Sequence, residues 1–369
     1  MGNNVEKLAK IIVDYSTKVK TGDCVLIVCE GLEGLPLVKA LFRQCILKKV
    51  RHVDYMLREP SITKDFLCIA DNSQLSYLPP EQLSIMKNTD VYIWIGAQSN
   101  TKELALIDGK RIALHRKTLT PLREERLKNT RWCALLYPST GLAQDANMSL
   151  DEFSDFFFKA CLRDWAKEKK KMLPLKKILD RCKRVRITGK GTDLNFTITK
   201  RKSVICAGEV NMPDGEIFIA PDRESVEGTI LFNMPADYQG KIFYDIQLTF
   251  EKGKVVKHSA RNDVGELKKI LDTDKGSRYL GEFAIGLNRQ IRHQFFNPLF
   301  DEKIFGTIHM ALGHCYPQSD NGNKSSIHWD LIYSLEDEGR LMADDKVIMG
   351  NGIFLYNKLK HQNKGIIAA

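Results

Sequence analysis

Four of the chain's eight histidines, His293, His309, His314 and His328, lie between positions 290 and 330, among acids set in apolar runs. In S-S-I-H-W-D-L-I-Y (325–333), Ile327, Trp329 and Leu331 alternate with His328 and Asp330. A strand has period two, so the imidazole and the carboxylate share one face, as metal ligands or as a plain His–Asp hydrogen bond. The segment F-D-E-K-I-F-G-T-I-H-M-A-L-G-H-C-Y-P (300–317) offers Glu302, His309 and Tyr316, with Gly306 and Gly313 permitting tight turns. His314 competes with His309 there, and spacing does not choose between them. In N-M-P-D-G-E-I-F-I-A-P (211–221), Glu216 opens an apolar strand after a Pro-Asp-Gly turn and shares a face with Phe218 and Ala220. In Y-L-G-E-F-A-I-G-L-N (279–288), Glu282 sits among small and apolar residues. A charge in such a run is costly unless paired or metal-bound. The plainer reading of each piece is an exposed strand end or a satisfied core histidine. Together, three or four carboxylates and two imidazoles exceed what one catalytic zinc requires. They suit two divalent ions sharing a bridging carboxylate, and zinc, cobalt and manganese all accept such mixed N/O ligation.

The elements that must position these residues change character along the chain. Up to about residue 150 they alternate. A helix is expected over 4–20, a strand over 24–29, a helix over 36–48, and strands over 51–57, 91–95 and 132–137. That alternation predicts a doubly wound α/β domain. Ser149 and Glu152 form a capping box for a helix expected to run to Pro174. Beyond it come short strands between Gly/Asp/Asn turns, at 183–188, 193–199, 216–220, 229–233, 242–250, 254–260, 326–334 and 346–355, and a helix at 263–272. The expected organisation is a Rossmann-like α/β domain over 1–172, then an α+β, β-rich, metal-binding catalytic domain over 173–369.

The motifs G-E-V-N-M-P-D-G-E-I-F-I-A-P, L-G-E-F-A-I-G-L-N, L-F-D-E-K-I-F-G-T-I-H-M-A-L-G-H-C-Y-P and H-W-D, in this order between about 205 and 330, resemble the thermophilic-type metalloaminopeptidases, the aminopeptidase T and S family. The resemblance implies removal of N-terminal residues from short peptides by two divalent ions and a water bridging them. It implies Glu216, Glu282 and Glu302 as metal-ligating acids, Glu282 as the bridge, His309 as the first imidazole ligand, His328 and Asp330 as the H-x-D pair and Tyr316 as the site tyrosine. Glu216 or Glu282 would take the proton of the water, and Tyr316 would stabilise the oxyanion. It also implies a homodimer and a cytoplasmic location.

Composition narrows the rest. Hydrophobic residues at 43% and charged residues at 28% exclude a disordered chain, a collagen-like repeat and a coiled coil. No apolar run approaches the ~20 residues of a membrane helix. The first residues carry no apolar secretory core, and nine cysteines without a C-x-x-C pair read as reduced thiols, so no membrane and a cytoplasmic chain are expected. The net charge of +10 is concentrated in residues 163–190, which hold twelve Lys/Arg against three Asp/Glu. With Trp165 the one aromatic there, this reads as a solvated helix and connector, and no nucleic-acid partner is expected. A nucleotide-binding oxidoreductase is the alternative, because C-V-L-I-V-C-E-G-L-E-G is a strand and a glycine turn with Asp54 downstream. Its G-x-x-G, however, is not the G-x-G-x-x-G of a phosphate cradle.

Overall fold

The computed structural model describes residues 2–363. Chain contacts separate two compact units, Met1–Arg163 with Gly208–Pro213, and Asp164–Ala207 with Asp214–Ala369. The changeover at Arg163/Asp164 comes before the expected 172/173 boundary, and the return of residues 208–213 to the first unit was not foreseen. The cause is local. The expected long helix breaks at Leu162, and Asp164 caps a new helix, Trp165–Leu179, by accepting from the Lys167 N–H at 3.0 Å. Pro174 lies inside this second helix and does not end it.

The first unit is built on a parallel sheet in the order His52–Arg58, Cys24–Glu30, Val91–Gly96, Arg131–Leu136, Asn211–Met212. Val25 through Cys29 are all buried, as strands with covered faces require. The capping box forms: the Ser149 N–H donates to Glu152 at 2.9 Å and the Glu152 N–H to Ser149 Oγ at 3.3 Å. The turn after the first strand shows why it is glycine-rich. Gly31 has φ +95, and a Cβ there would lie 2.1 Å from the Ala97 carbonyl oxygen. Glu33 fills the same turn, accepting from the Thr140 N–H at 2.9 Å and hydroxyl at 2.7 Å. Packing explains the glycine, and a carboxylate occupies the ground a phosphate would need.

The second unit holds an eight-stranded antiparallel sheet, running from Lys254–Ser259 at one edge to Ile353–Phe354 at the other. It also holds a five-stranded antiparallel sheet in the order His328–Ser334, Thr307–Gly313, Leu280–Gly286, Glu216–Ile219, Val204–Cys206. Two expected strands are each divided. Residues 242–250 form Lys241–Phe243 and Ile246–Glu251, because Asp245 takes φ 50 between them. Residues 346–355 form the hairpin Lys346–Gly350 and Ile353–Phe354, turned by Asn351 and Gly352, both at positive φ. Phe196 of the larger sheet meets Phe283 of the smaller edge-on, ring centres 5.1 Å apart, and both rings are fully buried. Each such burial contributes about 2–3 kcal/mol. At least four of the twelve basic residues of the segment pair locally, as Lys171–Glu168, Lys176–Asp180, Arg186–Asp193 and Arg184–Asp345.

Gly313 ends the second strand of the smaller sheet at φ +98, and a Cβ there would sit 2.2 Å from the Ile327 carbonyl oxygen. Gly313→Ala is expected to cost about 2 kcal/mol or more, through both the backbone conformation and the clash. Thermal unfolding of the variant should show a Tm lower by several degrees; an unchanged Tm would contradict this packing.

Candidate metal centre

The five-stranded sheet brings the predicted residues to one face. Gly286 pairs with Glu216, Ala284 with His309, and Glu282 with Ala311. Ala311 in turn pairs with Asp330, and Gly313 with His328. Alternation then sets Glu216, Glu282, His309, His328 and Asp330 on the same side, interleaved with Ala284, Gly286, Ala311 and Gly313. The small residues leave room between the functional ones. On the other side Phe283, Ile285, Ile308 and Met310 are buried. A bulge between Leu280 and Glu282 adjusts the register where Glu282 must reach its neighbours, a common device beside functional sites.

Two groups of donor atoms result, with Glu282 common to both. In the first, His309 Nε2 lies 3.5 Å from Glu216 Oε2 and 3.4 Å from Glu282 Oε1. In the second, His328 Nε2 lies 4.0 Å from Glu282 Oε2 and 3.5 Å from Asp330 Oδ1. Donors around one zinc, each bonded at about 2.0–2.2 Å, are separated by about 3–3.5 Å. Glu216, Glu282 and His309 are close enough to share an ion, and the second group is looser, with His328 4.0 Å from Glu282. Glu216 Oε2, Glu282 Oε2, both ring nitrogens of His309 and Asp330 Oδ1 are buried without a hydrogen-bond partner. Buried polar atoms are ordinarily satisfied, and leaving several together unsatisfied is costly. A cation between them is the economical solution, and the donor set suits a borderline metal such as zinc, cobalt or manganese.

Supporting contacts orient the donors. His328 Nδ1 is 2.7 Å from the His314 carbonyl oxygen, and an N–H donated there leaves Nε2 as the ligating atom. His314 thus contributes its backbone, and its side chain is exposed; His293 is exposed as well. The Tyr316 ring packs at a tilt against the His328 imidazole, centres 4.8 Å apart, and meets Phe218 at 6.0 Å, with the residue 45% exposed.

Sequence reasoning missed one central residue. Lys303, with a side chain 0% exposed, sets its Nζ 2.7 Å from Glu216 Oε1 and 2.6 Å from Glu302 Oε2. The sequence carried no clear signal for it, since a lysine beside two acids in D-E-K-I-F-G reads as an ordinary charged turn. Cys206 and Asp214 were missed too; with Glu216 they offer donor atoms within 4.8 Å of one another. Glu302 therefore meets a lysine as its nearest partner.

The electrostatics follow from burial and crowding. Burial pushes Glu302 up to about 8, against the pull of Lys303. It also raises Glu282, despite His309. For the histidines burial favours the neutral ring, but the carboxylates prevail: Glu282 and Glu216 lift His309 to about 9, and Asp330 with Glu282 lifts His328 to about 10. Asp330 resists its own burial and is held well below the carboxylate range by His328 and by a hydrogen bond from Glu302. Burial opposes the charge on Lys303, yet Glu216 and Glu302 raise it well above its ordinary value.

Acids and imidazoles gathered on one buried sheet face form a group that could hold a divalent metal. The chain matches the thermophilic metalloprotease family (M29) over residues 1–354 and belongs to it. Aminopeptidase 2 of Geobacillus stearothermophilus is 25% identical over 393 residues, covering 90% of this chain and 92% of that protein. Aminopeptidase AmpS of Bacillus subtilis is 33% identical over 155 residues, covering 38% of this chain and 37% of that one. The structure of wild-type AmpT from Thermus thermophilus superposes with a TM-score of 0.83 at 22% identity, over 96% of this chain and 99% of that one, a likeness of fold. The expected metal-dependent aminopeptidase is borne out, and the oxidoreductase alternative finds no support.

Without an ion, His309 and His328 bind protons more tightly when folded than an imidazole at 6.5 does. Their contribution to stability is complete below about 6.5 and disappears as pH rises through about 9 and 10. Chelator-treated protein should therefore lose thermal stability from about pH 6 to pH 10. The stabilisation conferred by added zinc should grow over the same range, because the ion displaces those protons. A flat profile would overturn this assignment.

Proposed function

We propose that Glu216, Glu282, His309, His328 and Asp330 hold two divalent ions, with Glu282 shared between them, and that the second unit is the catalytic domain. The observation that carries this reading is the set of unpartnered buried oxygens and nitrogens on one sheet face. When bound, the ions would supply Lewis acidity and an activated water to the peptide bond of an N-terminal residue.

The chain's own groups do the remaining work. Glu216 and Glu282 are committed to ligation, which leaves Glu302 as the proton carrier, in place of the two acids first considered. A carboxyl at about 8, on the least buried of the three, can exchange a proton near neutral pH. Tyr316 donates its hydroxyl to the developing oxyanion, a role supported by its ring contact with His328. The substrates are short peptides, and their free α-amine is held beside the acids, which restricts cleavage to the first residue. Zinc, cobalt and manganese are the candidate ions. The relatives named as aminopeptidases support this substrate class.

The working form is a homodimer in the cytoplasm. Nine cysteines, with no disulfide among the described residues, agree with a reducing compartment. Among the described residues no helix is long and apolar enough to cross a membrane.

Hydrolysis of a small panel of aminoacyl amides should vanish with chelator and return with zinc, cobalt or manganese. Activity indifferent to exhaustive chelation would sink the proposal. Glu282→Gln and His309→Asn should each lower kcat at least about a thousandfold while the protein stays folded by circular dichroism. Full activity in either, with metal content intact, would show that the ligands lie elsewhere.

A further inference from the structure

Among the described residues, Lys303 is the one lysine or arginine ion-paired with the proposed metal-binding carboxylates. Its ammonium rests on Glu216 Oε1 and Glu302 Oε2, at 2.7 and 2.6 Å. The side chain is wholly buried, and its backbone is tied at both ends: the Asn288 N–H donates to the Lys303 carbonyl, and the Lys303 N–H to the Phe300 carbonyl, each at 3.0 Å. The ammonium is therefore not exposed to solvent. Cys206 and Asp214, whose donor atoms lie within 4.8 Å of one on Glu216, add to the negative surroundings that hold its charge. Glu216 is left with a single free oxygen, Oε2, facing His309. The second group differs. Among the described residues, the ion-pair partners of Glu282 and Asp330 are His309 and His328, rings that give up their charge when they ligate.

We propose that Lys303 makes the two metal positions unequal, weakening the ion held by Glu216, His309 and Glu282 relative to the ion held by Glu282, His328 and Asp330. This rests on the two-ion reading above. An ammonium on one oxygen of a carboxylate repels a cation on the other. At such separations in a protein interior, that repulsion changes affinity by about tenfold or more. The chain keeps one ion tightly and gains or loses the other as metal supply varies. The change between one-ion and two-ion forms falls at the Glu216 side.

Chelator-stripped full-length protein titrated with zinc, in competition with a chromogenic chelator, reads both affinities directly. Wild type should take two ions in steps separated by about tenfold or more. His309→Asn should remove the weaker step and His328→Asn the tighter. Lys303→Met keeps the side-chain length without the charge and should tighten the weaker step by about tenfold or more, whereas Lys303→Arg should keep the gap. Two equal steps in wild type, a weaker step lost with His328, or an unchanged gap in Lys303→Met would overturn the proposal while leaving the two-ion reading intact. A wild type that takes fewer than two ions would overturn the two-ion reading, and the proposal with it. Should Lys303→Met fail to fold by circular dichroism, the wild-type gap and its assignment through His309 and His328 decide the matter alone.

Discussion

The structure depends on one constraint: acids and imidazoles are buried together on the face of an antiparallel sheet. Glu216, Glu282 and His309 are each less than 5% exposed. Carboxylates taken out of water must be neutralised by protons, by ammonium or by metal. Glu302 is pushed toward its protonated form, Lys303 supplies a fixed positive charge, and the unpartnered oxygens and nitrogens on the same face are the groups that the proposed ions would neutralise.

The sheet makes that burial possible by division of labour between its faces. Phe283, Ile308 and Met310 fill the core on one side, and their neighbours in sequence reach the site on the other. Packing of the apolar face thus fixes the positions of the ligands. Between them stand Ala284, Gly286, Ala311 and Gly313, where larger side chains would fill the space an ion needs. The same economy of space explains Gly31 in the first unit, where close approach to Ala97 requires glycine and no phosphate is needed to account for it.

Charge is handled locally in part. At least four of the twelve basic residues in the segment that dominates the net charge pair with Glu168, Asp180, Asp193 and Asp345. The lysine in contact with Glu216 and Glu302 lies outside that segment and is hidden from solvent, where low local dielectric and short distance strengthen any electrostatic effect.

The order and spacing of the motifs determined much of this by themselves. Strand periodicity in H-W-D put His328 and Asp330 on one face, and an isolated Glu in each of two apolar strands marked Glu216 and Glu282, because both signals depend only on residues near in sequence. The parallel first sheet and the run of short strands after it were legible for the same reason. Tertiary structure alone decided the rest. It chose His309 over His314, since only pairing with Ala284 aims one of them at the acids. It moved the end of a helix from Pro174 to Leu162, where a cap at Asp164 outweighed the proline. It also drew Lys303 against Glu216, a contact between residues far apart in the chain. No local pattern encodes such a meeting, because the burial that gives it force exists only once the sheets have packed.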